Sequence, residues 1–303
     1  MPGTRVDATV VRVVDGDTLR VAAGEREESL RILALDTEES NAGSSKPVTP
    51  WGHEAKKEAQ KLFQPGDAVS LEFPGHESAE TCWERYRGNY GRPLVFVYLR
   101  DGRDFQEHMI REGFSPYFVK YGYAQFPENH YRYTQAEREA QVGFRGVWDQ
   151  IKVNGSEMRN YAGLGVWWHL RAHIIEGYRY FKSANPGARL YNTRLDYDEL
   201  YKMSKTEDEV TIFTEVRNFK RVGGIHAIIG IGSIHQPFQV FIPRMDDEPG
   251  QRIISLLTNR YIPGGSGEPR RSYVYITGPL KLYNDRPEIV LTDVAQLSDW
   301  PMV

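Results

Sequence analysis

One cysteine in 303 residues, Cys82, leaves no partner for an internal disulfide and too few thiolates for a zinc cage, so neither cross-link is available to this fold. Long apolar runs are also missing. No stretch approaches the roughly 20 residues that span a bilayer, and Arg5, Asp7 and Arg12 stand where an apolar signal segment would lie. These absences predict a soluble, cytoplasmic protein, or a secreted one whose leader has been removed. A large excess of one charge sign is missing as well: the net charge of -3 excludes wholesale attraction to polyanions, so any such binding must come from local basic groups. Apolar residues, at 40%, and aromatic residues, at 12%, are plentiful enough for two domains with separate cores.

The most informative stretch is Asp15-Gly16-Asp17-Thr18. Val10 to Val14 is apolar and β-branched, Asp-Gly marks a tight turn, and Thr18 to Val21 resumes strand composition, so two carboxylates are handed to the mouth of a sheet. Leu30 to Leu35 reads as the next strand, carries Arg31 within it and ends in the acidic cluster Asp36, Glu38 and Glu39. An arginine fixed near hard oxygen ligands suits a phosphate and a divalent metal. Taken alone, each piece also reads as an ordinary hairpin turn and an ordinary strand arginine.

Further along, Asn41 to Pro50 is a Gly/Ser/Pro-rich loop, and the spacing predicts a helix from about His53 to Phe63. Ala68 to Phe73 reads as a strand, Pro74 to Asn89 as a long polar loop, and Leu94 to Leu99 as a strongly apolar strand with Arg92 at its mouth. Asp104 caps a predicted helix running to about Gly113, Thr134 to Gly143 makes another, and Trp148 is a packing anchor. Between those helices the aromatic run from Phe114 to Tyr133 has base-stacking candidates, Tyr121 first among them, although most of its rings are expected to pack internally.

The blocks VVDGDT, RILALDTEE, WGHEAKKEA, YGRPLVFVY, REGF and GVWD occur in order, and with them residues 7 to 149 resemble the staphylococcal nuclease (thermonuclease) family. The resemblance implies a five-stranded barrel of the oligonucleotide-binding type and calcium-dependent hydrolysis of DNA and RNA phosphodiesters, leaving a 3′-phosphate and a 5′-hydroxyl. Mg2+ or Mn2+ are the alternative ions. Carried over by matching positions, Asp17, Asp36 and the Thr37 carbonyl are the metal ligands and Asp15 is a supporting acid. Arg31 and Arg92 grip the phosphate, and Glu39 is the general base. Glu38 occupies a position where the family usually has proline, and proline follows Arg92 where a small residue is usual.

Beyond residue 150 the character changes. Val166, Leu170, Ile174 and Tyr178 recur at helical spacing and predict an amphipathic helix in a linker spanning 151–206. His169 and His173, four apart, lack a neighbouring third ligand, so a metal site there is the weaker reading. Glu209 to Phe219, Ile225 to Ile231 and Pro237 to Ile242 read as strands, Gln251 to Asn259 as a helix, and Tyr273 to Leu282 and Glu288 to Leu291 as strands. Three strands, a helix and two strands is the order of an oligonucleotide-binding (OB) barrel over 207–303. Phe213, Arg217, Phe219, Lys220, Phe238 and Tyr275 are its candidate nucleic-acid contacts, with about half expected to face the core by strand alternation.

The expectation is a mainly β, α+β protein: a catalytic barrel over 1–150, a helical linker, and a second barrel that grips single-stranded DNA or RNA. The rival is a non-catalytic nucleic-acid-binding scaffold or protein-interaction module. The complete set Asp17, Arg31, Asp36, Glu39 and Arg92 argues against it.

Overall fold

A computed structural model describes residues 3–42, 48–119, 127–149, 161–263 and 270–301. The chain forms two compact units, Met1–Trp168 and His169–Val303.

In the first unit β1 (Arg5–Asp15), β2 (Thr18–Ala23), β3 (Arg26–Ser29) and β4 (Arg31–Ile32) lead to helix α1 (Pro50–Leu62). Strand β5 (Ala68–Glu72), helix α2 (Ala79–Arg85), strand β6 (Leu94–Leu99) and helices α3 (Phe105–Arg111) and α4 (Pro127–Val142) follow. The strand order is β3-β2-β1-β5-β6-β4. Because β3 and β4 are consecutive pieces of one run, broken only at Leu30, the sheet returns on itself. Closure is made by a parallel pairing, Arg31 to Leu94 and Ile32 to Val95. Strand β6 is buried at all its positions, which is why its sequence is apolar without alternation.

Helix α1 starts where Thr49 caps it by accepting from Gly52 N, with Pro50 in its first turn. It buries a face of small residues, Gly52, Ala55 and Ala59. Helix α3 is capped by Asp104, as its sequence predicts, through a 3.0 Å bond from Glu107 N. Helix α2 corrects the expected polar loop over Pro74 to Asn89. Ser78 caps it, and Cys82 and Trp83 are buried, with Trp83 meeting Phe73 edge to face at 4.9 Å.

Helix α5 (Tyr161–Ala184) contains the boundary between the units. Its expected apolar stripe is only half right: Ile174 and Tyr178 are buried, whereas Val166 is 68% and Leu170 37% exposed. Steps of four advance about 40° beyond a full turn, so residues 166 and 178 cannot share a face.

The second unit continues with β7 (Leu190–Asn192), α6 (Tyr197–Met203), β8 (Glu209–Glu215), β9 (Lys220–Val222), β10 (His226–Gly230) and β11 (Gln239–Ile242). Then come α7 (Glu248–Leu256), β12 (Tyr273–Tyr283), β13 (Arg286–Val290) and the short β14 (Leu297–Ser298). The sheet runs β7-β8-β12-β13-β11-β10-β9, with β14 on β12. The strand expected from Glu209 to Phe219 stops at Glu215, and Lys220 begins a separate one. With β8 and β9 taken as halves of one run, the pairing scheme matches that of the first unit, including a parallel pair between β11 and β13. Strand β7 joins β8, and Leu200 enters the core of this unit, so residues from 190 onward belong to the second unit rather than to a linker.

Candidate active site

The turn between β1 and β2 presents Asp15 and Asp17, both buried. Asp15 accepts from Gly16 N at 2.8 Å and from Ser40 N at 3.3 Å, so one carboxylate ties the turn to the acidic segment that follows β4. A side chain at residue 16 would lie 2.8 Å from Ala55 Cβ and 2.9 Å from Thr37 Cγ2. Only glycine lets the turn sit this close to α1 and Thr37.

Arg31 lies at the centre. Its guanidinium is hydrogen-bonded to Asp17 Oδ2, reaches Asp36 Oδ1 at 3.3 Å and donates to the Leu35 carbonyl at 3.0 Å. The side chains of Arg31 and Asp17 are each 11% exposed and that of Asp36 7%, so this charge network is largely removed from water. Arg92 enters from the start of β6, where Nη1 donates to Thr18 Oγ1 at 3.3 Å, and Thr18 in turn donates to Asp17 at 2.9 Å. Thus side chains from three separate stretches, Asp17, Arg31 with Asp36, and Arg92, meet at one barrel mouth, with Asp15 bracing the turn that carries Asp17.

The acidic segment is held from several sides. Ala34, just before it, adopts a left-handed backbone with φ of 65°. Asp36 N donates to Ser115 Oγ at 2.9 Å, and Phe118 N donates to the Ala34 carbonyl at 2.9 Å. Thr37 is buried. The Glu39 carbonyl accepts from Thr49 N at 3.2 Å, and a Cβ on Gly52 would stand only 2.0 Å from that oxygen, so the first turn of α1 abuts the Glu39 peptide. Glu39 is half-buried, and the adjoining Glu38 is fully buried with Tyr161 donating to its Oε1.

Sequence reasoning did not find Thr18, Ser40, Gly52, Ser115 or Tyr161 in these supporting roles. Of these, only Thr49-Pro50 ahead of Gly52 carries a local signal, that of a helix start. Among the described residues no three His, Cys, Asp or Glu side chains gather into a metal cage. Asp17 and Asp36, which already converge on one cationic group, are the acids available to a hard ion.

In the second unit several expected nucleic-acid contacts are corrected. Phe213, Phe238 and Tyr275 are 2–3% exposed and offer no face to a base. Phe213 stacks on Tyr178 of α5 with centroids 4.4 Å apart and planes within 8°, and lies 4.9 Å from Tyr275. Burial pushes the Tyr275 phenol up to about 12, so it stays neutral there. Phe238 sits in the core of this unit, and Phe219, half-buried, packs against that core. Arg217 is paired with Glu215 at 2.9 Å, while Lys220 is exposed on β9. Tyr121 lies outside the described residues.

A closed barrel with acids and arginines converging at its mouth defines the class of fold. The family model described as "Staphylococcal nuclease homologue" matches residues 29–150. Thermonuclease of Staphylococcus hyicus is 31% identical over 144 residues, covering 46% of this chain and 73% of that protein. Two proteins of Bacillus subtilis (strain 168) are also similar. Endonuclease YncB is 30% identical over 147 residues, covering 48% of this chain and 63% of its own length. The SPbeta prophage-derived endonuclease YokF is 31% identical over 147 residues, covering 48% and 45%. The chain therefore spans between about half and two thirds of the length of these two Bacillus relatives. It belongs to the staphylococcal nuclease family.

Proposed function

We propose that this protein is a metal-dependent nuclease that hydrolyses phosphodiester bonds of nucleic acid and prefers single-stranded DNA or RNA. The observation that carries the reading is the placement of Arg31 on both Asp17 and Asp36, with Arg92 joined to the same cluster through Thr18. A diester anion repels nucleophiles, so its hydrolysis needs charge neutralisation, an oriented water and donors for the developing charge.

The donor set fits a hard divalent ion. Asp17, Asp36 and the Thr37 carbonyl would hold Ca2+, or Mg2+ or Mn2+, and leave most of calcium's roughly six to eight positions to water and phosphate. Such an ion supplies charge neutralisation at a phosphate oxygen. Arg31 and Arg92 offer paired N–H donors to the remaining oxygens, which a lysine point charge does less well. Glu39, carried on the segment braced by Thr49 and Gly52, accepts the proton of the attacking water.

The second unit is read as an OB barrel that holds single strands. Its support is the pairing scheme shared with the first unit and the exposed basic strand containing Lys220 and Arg221. The buried aromatics are structural, so this grip falls to exposed cations and is salt-sensitive.

The test is cleavage of labelled single-stranded and duplex DNA and RNA by the full chain, with and without chelator and with each divalent ion restored. Turnover abolished by chelator and restored by an ion supports the proposal. Binding without turnover under every ion favours the scaffold reading instead.

A further inference from the structure

Tyr161 lies beyond the stretch matched by the family model, yet it reaches the acidic segment. It is 2% exposed, and its hydroxyl donates to Glu38 Oε1. Glu38 is completely buried, and its Oε2 has no hydrogen-bond partner among the described residues. A buried carboxylate is costly in such surroundings, and removing its donor leaves it costlier still. The Tyr161 contact therefore has strong leverage on where residue 38 sits, and with it the peptide leading to Glu39.

The ring of Tyr161 is itself wedged. It meets Trp148 at 5.8 Å and Trp168 at 5.8 Å, and Trp168 meets Phe118 edge to face at 5.7 Å. Phe118 is the residue whose N–H holds the Ala34 carbonyl, and Trp51, beside Gly52 on α1, packs against the same aromatic group. One aromatic cluster thus braces the acidic segment from upstream at Ala34 and from downstream at Glu38. We propose that Tyr161 is a positioning residue for the general base Glu39, acting through Glu38, so that the start of α5 is a working part of the active site. This inference rests on the nuclease reading of the site.

The experiment uses the full chain carrying Tyr161→Phe, which keeps the ring and deletes the hydroxyl, and Glu38→Gln, which keeps an acceptor for that hydroxyl. Single-strand cleavage kinetics and amide hydrogen exchange are measured on both. Tyr161→Phe is expected to lower kcat about tenfold, with KM within about twofold, and to speed exchange across residues 36–42 while the β1–β2 hairpin is unchanged. Glu38→Gln is expected to retain most of kcat, and the double variant to be no slower than Tyr161→Phe alone. Unchanged kcat and unchanged exchange at 36–42 in Tyr161→Phe overturn the proposal. So does a loss of protection spread evenly over the unit, which marks a merely structural role. If the unaltered chain proves inactive with every ion, the nuclease reading fails by itself, and the exchange measurement still decides whether Tyr161 holds the segment.

Discussion

Replacing Gly52 by alanine sets two physical effects against each other. In an isolated helix the change stabilises by about 0.5–1 kcal/mol, because alanine loses less backbone entropy. Here the added Cβ would stand 2.0 Å from the Glu39 carbonyl oxygen, 2.4 Å from its carbon and 2.9 Å from Ser40 N. All three are backbone atoms, so no flexible side chain can yield, and either α1 or the Glu39 peptide must retreat by more than about 1 Å to reach ordinary contact. Overpacking of this kind costs about 1–3 kcal/mol. The expected sum is a net destabilisation of about 1–2 kcal/mol in urea unfolding, with kcat for oligonucleotide cleavage falling about 10²-fold as Glu39, the proposed base, is displaced. Gly177→Ala is the matched control: Gly177 is an exposed glycine of α5 whose added Cβ meets nothing within 4 Å, so it should stabilise and leave kcat alone. A Gly52→Ala protein that is more stable than the parent and fully active would refute the claim that α1 sets the position of Glu39.

Other outcomes are expected. Glu39→Gln should cost about 10²–10⁴ in kcat while the unfolding curve is unmoved; near-normal turnover would show that another group takes the proton. Phe213→Ala should destabilise the second unit by about 3–5 kcal/mol in denaturant titration, because it removes the centre of a buried stack. Lys220→Ala, in contrast, should leave stability within about 0.5 kcal/mol and weaken oligonucleotide binding with a shallower salt dependence. Burial works against the Glu77 carboxylate, but its backbone hydrogen bond and those from Tyr86 and Arg85 outweigh it and hold its pKa below the ordinary 4.5. The stabilisation it brings is therefore present above about pH 4.5 and is lost as pH falls through the lowered value. Glu77→Gln should flatten that acid limb in thermal melts recorded from pH 6 down to 3, and an unchanged limb would reject the assignment.

Much of the first unit was legible because its signals are local. Val10 to Val14 and Thr18 to Val21 flank an Asp-Gly turn, Asp104 caps its helix, and Arg92 stands just before β6, whereas the strand expected over Leu30 to Leu35 is only Arg31–Ile32, because Ala34 turns left-handed. The second unit misled at Phe213, Phe238 and Tyr275 for one physical reason. Strand alternation identifies a core only when the other face meets water, and β8 is buried on both faces. Ile212 belongs to the core cluster of the unit, while Phe213 on the opposite face is covered by Tyr178 of α5. Helix α2 was missed because it is short and charged, with only Cys82 and Trp83 buried along it. The link from Tyr161 to Glu38 had no local signal at all, since it joins residues separated by more than a hundred positions.

The parallel pairing of Arg31–Ile32 with Leu94–Val95 has a consequence for how the protein is made. When Arg31 leaves the ribosome its strand partner has not yet been synthesised, and the intervening chain must emerge before the seam can be sealed. Until then the nascent chain carries an open strand edge, the kind of surface that invites intermolecular pairing. Gln239 waits in the same way for Glu288. Assembly is thus predicted to be late and all-or-none in each unit, and products truncated before Leu94 should emerge as aggregation-prone chains rather than as smaller folded barrels.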